Sequence, residues 1–503
     1  MNAALFQENI RALLDVLPES IQHEEGIYLV GGCVRDAWLG KPIHDIDLIV
    51  QGDTKKVARL TANEYHGSCY LLDEERDTWR VQIIWKNEPF EIDFAAPRAS
   101  TVEDDLHHRD FTINAMAVPV WDPAQLLDPC DGGTDLQHKI IRACSDTSFL
   151  EDPVRTIRAV RFAADLRFRV EPHTLNYMKE AVPRLQAISP ERIRDELFKI
   201  FTCSHPTAAV RVLGTCGILP VILPELAELQ GLPRVYPDPL DVWEHTLGVM
   251  KGMQSLLEVL VGTYHQDAAS NLVLGSAVQV LGRYRFQLDD LLSNTLVQER
   301  QLSGLLILST LLHDVGKKKV VHYDENGHAQ FSGHAEAGRG VAGQICTRLK
   351  FSNAEIMRIA NGVISHQIIH QMAEGTMGAS PVDIYHLYRQ YGSGVLDACL
   401  IGLADTLGKY QQQPPLDYWM KELQVARILM EAWFEKYQEL VDPPRLLDGG
   451  EVMELLHLKP GPDVGVLLET IREQQVSGLI TTSDEAKAWL LKDPPCQTTL
   501  SIP

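Results

Sequence analysis

Between residues 27 and 96 the chain alternates short β-rich runs (IYLV, DIDLIV, RVQIIW, FEIDFAA) with turn residues, and one helical stretch near 54–65 interrupts them. Side chains of a strand alternate between faces, so such runs predict a small α/β sheet domain. From about residue 149 the apolar positions recur at helical spacing almost throughout, in amphipathic segments separated by Pro and Gly. The remainder is therefore expected to be helical. Pro-rich joints at 236–240 (YPDPL) and 411–418 (QQQPPLDY) divide it. The expected divisions are 1–142, 143–235, 236–410 and 411–503. No internal repeat, low-complexity tract or coiled-coil run appears.

With 503 residues, 45% of them hydrophobic, the chain can bury several cores. It holds no run of about 18 apolar residues, and its N-terminus lacks a basic leader followed by a clean apolar stretch, so a cytoplasmic location away from membranes is expected. Nine cysteines without a C-x-x-C pair offer neither a disulfide framework nor a cysteine zinc site. They are expected to be reduced and mostly buried. A net charge of −22 is awkward for binding a polyanion, so basic charge must be local. One such place is 155–199, where ten basic residues meet six acidic ones.

The strongest chemistry lies in front. Strand IYLV runs into Gly31-Gly32 and then Cys33-Val34-Arg35-Asp36, which starts a helix. Glycines at a strand-to-helix turn let backbone approach a phosphate, and the helix start presents free N–H groups to it. The strand DIDLIV opens with Asp45 and Asp47 on one face, and FEIDFAAPR places Glu91 and Asp93 together, with Asp93 the favoured third carboxylate. Adjacent carboxylates repel unless a cation sits between them, and hard, oxygen-seeking Mg²⁺ suits the set.

GGCVRD followed by DIDL resembles the signature of the class II family of tRNA CCA-adding enzymes and bacterial poly(A) polymerases. Further motifs agree in order: RDFTINAMA (109–117), DPCDGGTDL (128–136), EDPVRTIRAVRFAA (151–164), SPERIRDEL (189–197) and HLKPGPDVG (457–465). The resemblance implies a polymerase-β-like α/β head followed by a mostly α-helical neck, body and tail. It implies Mg²⁺ at Asp45 and Asp47, addition of C and/or A from CTP and ATP to tRNA, and pyrophosphate release. Gly32, Arg35, Arg109, Asp110 and Asn114 would bind nucleotide. Asp152 and Arg155, three apart and so expected on one helix face, would imitate a template base, with Arg158 on the triphosphate. Ser189-Pro190 reads as a helix start, with Arg192 and Glu196 expected to pair as i and i+4.

Residues 241–410 carry a second constellation: His245, His313-Asp314, His334, His366 and Asp405, in helical contexts. The pattern resembles the HD phosphohydrolase superfamily, which implies a divalent transition metal or Mg²⁺ and a phosphatase or 2′,3′-cyclic phosphodiesterase activity. His245, His313, Asp314 and Asp405 would surround one ion, with His334 and His366 available for a second. Lys317 is suited to a phosphate, and His370 rivals His366. Segment 70–82 corresponds to the loop that separates complete CCA addition from CC-only or A-only addition, and LDEER is too short to decide between them. A poly(A) polymerase, or an HD phosphohydrolase with an RNA-binding head, is the alternative. The last residues, CQTTLSIP, are expected to be disordered, and the enzyme to act as monomer or homodimer.

Overall fold

The computed structural model describes residues 3–43, 45–235, 240–262, 271–297 and 300–492. Most of the joint at 236–240 and the whole of CQTTLSIP lie outside them. The chain forms two compact units, Met1–Ile222 and Leu223–Pro503.

The first unit is built on a six-stranded mixed sheet in the order β3-β4-β5-β2-β1-β6. Its strands are β1 (Ile27–Val30), β2 (Asp45–Val50), β3 (Ser68–Asp73), β4 (Thr78–Trp85), β5 (Glu88–Ala95) and β6 (Ala117–Pro119). β2 and β5 run parallel, and all other neighbours are antiparallel. Two-residue alternation does what it must: Ile46, Leu48, Ile92 and Phe94 are buried, which turns Asp45, Asp47, Glu91 and Asp93 to the other face. Each buried side chain contributes roughly 1.5–3 kcal/mol, so a one-residue slip in register is heavily penalised and the carboxylates are held in place. The expected helix near 54–65 spans Thr54–Glu64, capped by the Asp53 side chain.

Helices Arg155–Leu166 and Pro190–Phe201 follow in the same unit. The helix reading of 151–164 needs correction. A short helix ends at Glu151, Asp152 is extended (φ −141°, ψ 92°), and the long helix begins only at Arg155. Pro153 explains the break, because its ring disfavours helical backbone at the residue before it. Ser189 occupies the N-cap and Pro190 the first turn as expected, but the Ser189 side chain makes no capping hydrogen bond.

The second unit is helical. At its centre Leu302–Leu312 is buried at every position but Ser303, and the buried Ser309 and Thr310 hydroxyls donate to the Leu305 and Leu306 carbonyls at 2.9 and 2.8 Å. Val242–Leu260, Asn353–Ser365 and Gly394–Lys409 pack with it. The cysteine expectation holds only in part. The eight described cysteines are all free thiols, but Cys33, Cys346 and Cys399 alone are buried.

Candidate functional site

Gly31 ends β1 with φ +74°, a conformation that favours glycine, and caps the helix Gly32–Leu39. A β-carbon there would lie 2.9 Å from Arg109 Nη1 and 3.5 Å from Asp47 Oδ2. The parallel register sets Asp45 opposite Glu91 and Asp47 opposite Asp93. Burial and then the Asp45 charge push Asp47 up to about 6, while burial, Asp36 and Asp93 raise Asp45. This all-oxygen donor set, strained by its own repulsion, fits a hard divalent cation. Asp93 is gripped by Arg80, whose Nε and Nη2 each donate at 2.8 Å, while Nη1 ion-pairs with Glu91 at 3.0 Å.

Beside these carboxylates opens a cleft of about 310 Å³. Gly32, Arg35, Asp47, Arg109, Asp110, Asn114, Asp152, Arg155 and Arg158 line it, as the motifs predict; Asp45 and Asp93 are outside the lining. Arg76, Arg98, Arg192 and Phe162 also line it; all four fall in segments singled out in the sequence, but none was expected at the nucleotide. Seven guanidinium groups thus face three carboxylates, a local positive field inside an acidic chain. Arg35 Nη1 donates to Asn114 Oδ1 at 2.8 Å, Asn114 Nδ2 donates to Asp110 Oδ1 at 3.1 Å, and Arg158 ion-pairs with Asp110 at 2.8 Å. Burial acts against the Asp110 charge, but Arg158 and Asn114 hold the carboxyl below its usual range.

Asp152 and Arg155 both reach the cleft, though not from one helix face. Arg155 donates to Ser148 Oγ at 2.8 Å and to the His108 carbonyl at 3.1 Å. Arg192 pairs with Asp152 at 2.7 Å, and Glu196 with Arg161 at 3.0 Å, so the expected Arg192–Glu196 pair does not form. Asp152 Oδ1 and Arg158 Nε are left buried without hydrogen-bond partners.

In the second unit the whole predicted set converges. Asp314 Oδ2 lies 3.2 Å from His313 Nε2 and 3.5 Å from His245 Nε2, and Asp314 Oδ1 lies 3.4 Å from His334 Nε2. His334 and His366 face each other Nε2 to Nε2 at 3.4 Å. Two groups, His245/His313/Asp314 and Asp314/His334/His366, can each hold an ion, and Asp314 is shared between them. Asp405 Oδ1 pairs with His245 at 2.9 Å. Backbone carbonyls of Thr310, Phe331 and Val363 engage Nδ1 of His313, His334 and His366 at 2.8, 2.9 and 2.6 Å, leaving each Nε2 as the inward atom. His313 Nε2 is buried without a hydrogen bond, as a metal-facing nitrogen would be. Burial lowers His245 and His334 and, with His313, drives His366 down to about 3, which keeps them neutral; at His313 burial is outweighed by the charge and hydrogen bond of Asp314 together with the Asp405 charge, and the shift is upward.

His370 is not interchangeable with His366. It bridges Asp405 (3.0 Å) and the fully buried Glu422 (2.5 Å), a partner the sequence did not signal. A cavity of about 730 Å³ opens here, lined by His370 and Asp405 with Lys317, Lys409, Tyr410 and Tyr418. Gly316 permits the close crossing, since a β-carbon would lie 2.1 Å from the His334 carbonyl oxygen.

Family models match the parts of the chain that carry the two clusters. The poly A polymerase head domain family matches residues 27–142, the probable RNA- and SrmB-binding site of polymerase A matches 167–230, and the HD domain matches 242–407. The A-adding tRNA nucleotidyltransferase of Deinococcus radiodurans is 32% identical over 92% of this chain and 95% of its own. The chain belongs to the tRNA nucleotidyltransferase family. The CC-adding tRNA nucleotidyltransferase of Thermus thermophilus is 29% identical over 92% of each chain. Among solved structures, a CCA-adding enzyme with CTP matches with a TM-score of 0.59 at 20% identity, over 97% of this chain and 99% of that one. The Thermotoga maritima CCA-adding enzyme complexed with tRNA matches at 0.52 and 20%, over 97% and 94%. This tRNA nucleotidyltransferase is therefore an enzyme with the polymerase-β-like head and helical remainder of its family and an HD domain. No helix among its described residues is long and apolar enough to cross a membrane.

Proposed function

We propose that the head transfers CMP or AMP from CTP or ATP to the tRNA 3′-hydroxyl. That oxygen attacks the α-phosphorus, the bond from the α-phosphorus to the β-bridging oxygen breaks, and pyrophosphate leaves. Asp45 and Asp47 would hold Mg²⁺, which supports hydroxyl ionisation and neutralises the leaving group. Asp93 is the third carboxylate, available as Arg80 releases it. Arg109 and Arg158 take the triphosphate, with Gly32 and Arg35 at the turn, and Asp110, held by Asn114, accepts from the ribose 2′-hydroxyl.

The observation that carries the reading is the unpartnered Asp152 Oδ1 beside Arg155 in the cleft. Cytosine and adenine each present an exocyclic amino donor, and an acceptor at Asp152 suits both while a uracil or guanine oxygen meets repulsion. In the HD unit, His245, His313, Asp314, His334, His366 and Asp405 would hold one or two divalent ions, of a transition metal or Mg²⁺. Their nitrogen and oxygen donors support water activation for phosphoester hydrolysis. The finer division at 142, 235 and 410 belongs to the same reading.

The test uses tRNA transcripts ending before CCA, after C and after CC, each with CTP, ATP or both, beside Asp45→Ala. Stepwise addition lost in the variant is expected. Extension of the CC-ended transcript alone marks an A-adding enzyme, addition halting after two C marks a CC-adding one, and no incorporation overturns the reading.

A further inference from the structure

Behind the nucleotide cleft, two cysteines from separate segments meet. Cys130 sits in the turn before the helix Gly132–His138, and Cys144 follows the strand Ile140–Ile141. Each thiol acts on the ionisation of the other, and Cys130 Sγ lies 3.3 Å from His107 Nδ1. Both pack against one small apolar cluster that includes Leu106, Ala115 and Ala117. Both are half-buried, so a small oxidant can reach them. A metal site is the weaker use of these side chains. Among the described residues, three ligand atoms converge within one coordination sphere only in the HD unit.

The two thiols differ in reactivity. The Cys144 thiol, aided by His107, outweighs burial and holds Cys130 down to about 7, whereas the neighbouring Cys130 and then burial raise Cys144. With the His107 imidazole 3.3 Å from its sulfur to favour the thiolate, Cys130 is the nucleophile, and Cys144 the partner that becomes easier to deprotonate once the Cys130 charge is gone. Cys144 is also wired to the cleft. Its amide donates to the Asp110 carbonyl at 3.4 Å, and Ala143 bridges Phe111.

We propose that Cys130 and Cys144 form a peroxide-responsive thiol pair that closes to a disulfide and disturbs the nucleotide cleft from behind. The Cys130 thiolate attacks hydrogen peroxide and breaks the O–O bond, giving a sulfenic acid and, with one proton, water. The Cys144 sulfur then attacks the Cys130 sulfur, the S–O bond breaks, and the departing hydroxide takes the Cys144 proton as a second water. Two thiols are oxidised by two electrons as one peroxide is reduced. A disulfide is about 2.05 Å long, well inside the van der Waals contact of two sulfurs, so closure draws the segments together and pulls on the backbone that hydrogen bonds to Asp110. The functional half rests on the proposed role of Asp110 at the ribose.

The test treats the reduced full-length chain with stepwise hydrogen peroxide. Two of the nine thiols should disappear first, with a Cys130–Cys144 linked peptide in a non-reducing digest. The KM for nucleotide should rise on the order of tenfold and return with dithiothreitol, since displacement by about an ångström is enough to spoil catalytic alignment. Cys130→Ser and Cys144→Ser, with Cys144→Ala if the serine variant folds poorly, should keep the untreated KM and escape the rise. Earlier oxidation of other cysteines, over-oxidation of Cys130 without a disulfide, or a disulfide with unchanged KM each overturns the proposal. Untreated enzyme that incorporates no nucleotide refutes the cleft reading instead, and the peptide map is then judged separately.

Discussion

Replacing Asp47 by asparagine should abolish nucleotide transfer and yet make the metal-free protein more stable. Folding places Asp47 beside Asp45 and partly away from water, and its carboxyl rises from the usual 3.8 to about 6. An acid raised in this way is disfavoured in its ionised form, so the fold loses stability as pH climbs through 6 and is unburdened below about 4. Two pH units correspond to about 3 kcal/mol. Solvent screening and local relaxation reduce this to about 1–2 kcal/mol. For a unit of the size of Met1–Ile222 that is a melting-temperature gain of about 3–6 °C at pH 8. Thermal denaturation of both proteins in chelator at pH 8 and pH 4 reads it directly. The gain should vanish at pH 4, and added Mg²⁺ should raise the wild-type midpoint far more than the variant's. A variant less stable than wild type at pH 8, or an equal gain at both pH values, refutes the account of repelling carboxylates.

Other perturbations separate the two sites. Asp152→Ala removes the unpartnered acceptor and should reduce selection of CTP and ATP over UTP and GTP by roughly 10–100-fold in competition assays, the value of about 1–3 kcal/mol of base readout. His366→Ala should lower metal content in the HD unit, measured by elemental analysis, while nucleotide incorporation stays within about twofold of wild type, as sites that share no partner residues act independently. Gly316→Ala forces a β-carbon to within 2.1 Å of the His334 carbonyl oxygen. It should destabilise the second unit by about 2 kcal/mol or more, seen as an earlier thermal transition.

Features set by local rules were legible in the chain. Strand alternation alone puts Asp45 and Asp47 on one face, and a glycine pair between strand and helix marks the turn that lines the cleft. The candidate metal ligands of the HD unit were legible as an ordered set of residue types, because a metal site needs those donors wherever the helices carry them. Long-range partners were not. Arg80 on Asp93, Arg192 on Asp152 and Glu422 on His370 join residues 13, 40 and 52 positions apart, and no spacing rule connects them. Arg76 and Arg98 likewise reach the cleft only through the folded sheet. The helix expected across Asp152 failed for a local reason that was available: Pro153 forbids it. The cysteines misled because a small thiol can stay partly open to solvent, and residue type says little about its depth.

One contact gives the HD unit an order of events. The Lys317 ammonium sits 2.5 Å from Asp314 Oδ2, on the oxygen that His245 and His313 also face. Lys317 is therefore a built-in counterion, and it competes with any cation that seeks Asp314. Once displaced, its charge turns to the neighbouring cavity, which it already lines. Occupancy of the carboxylate and readiness for an anionic guest are in this way two faces of one exchange, and a lysine replaced by methionine should load metal more readily but greet phosphate less well.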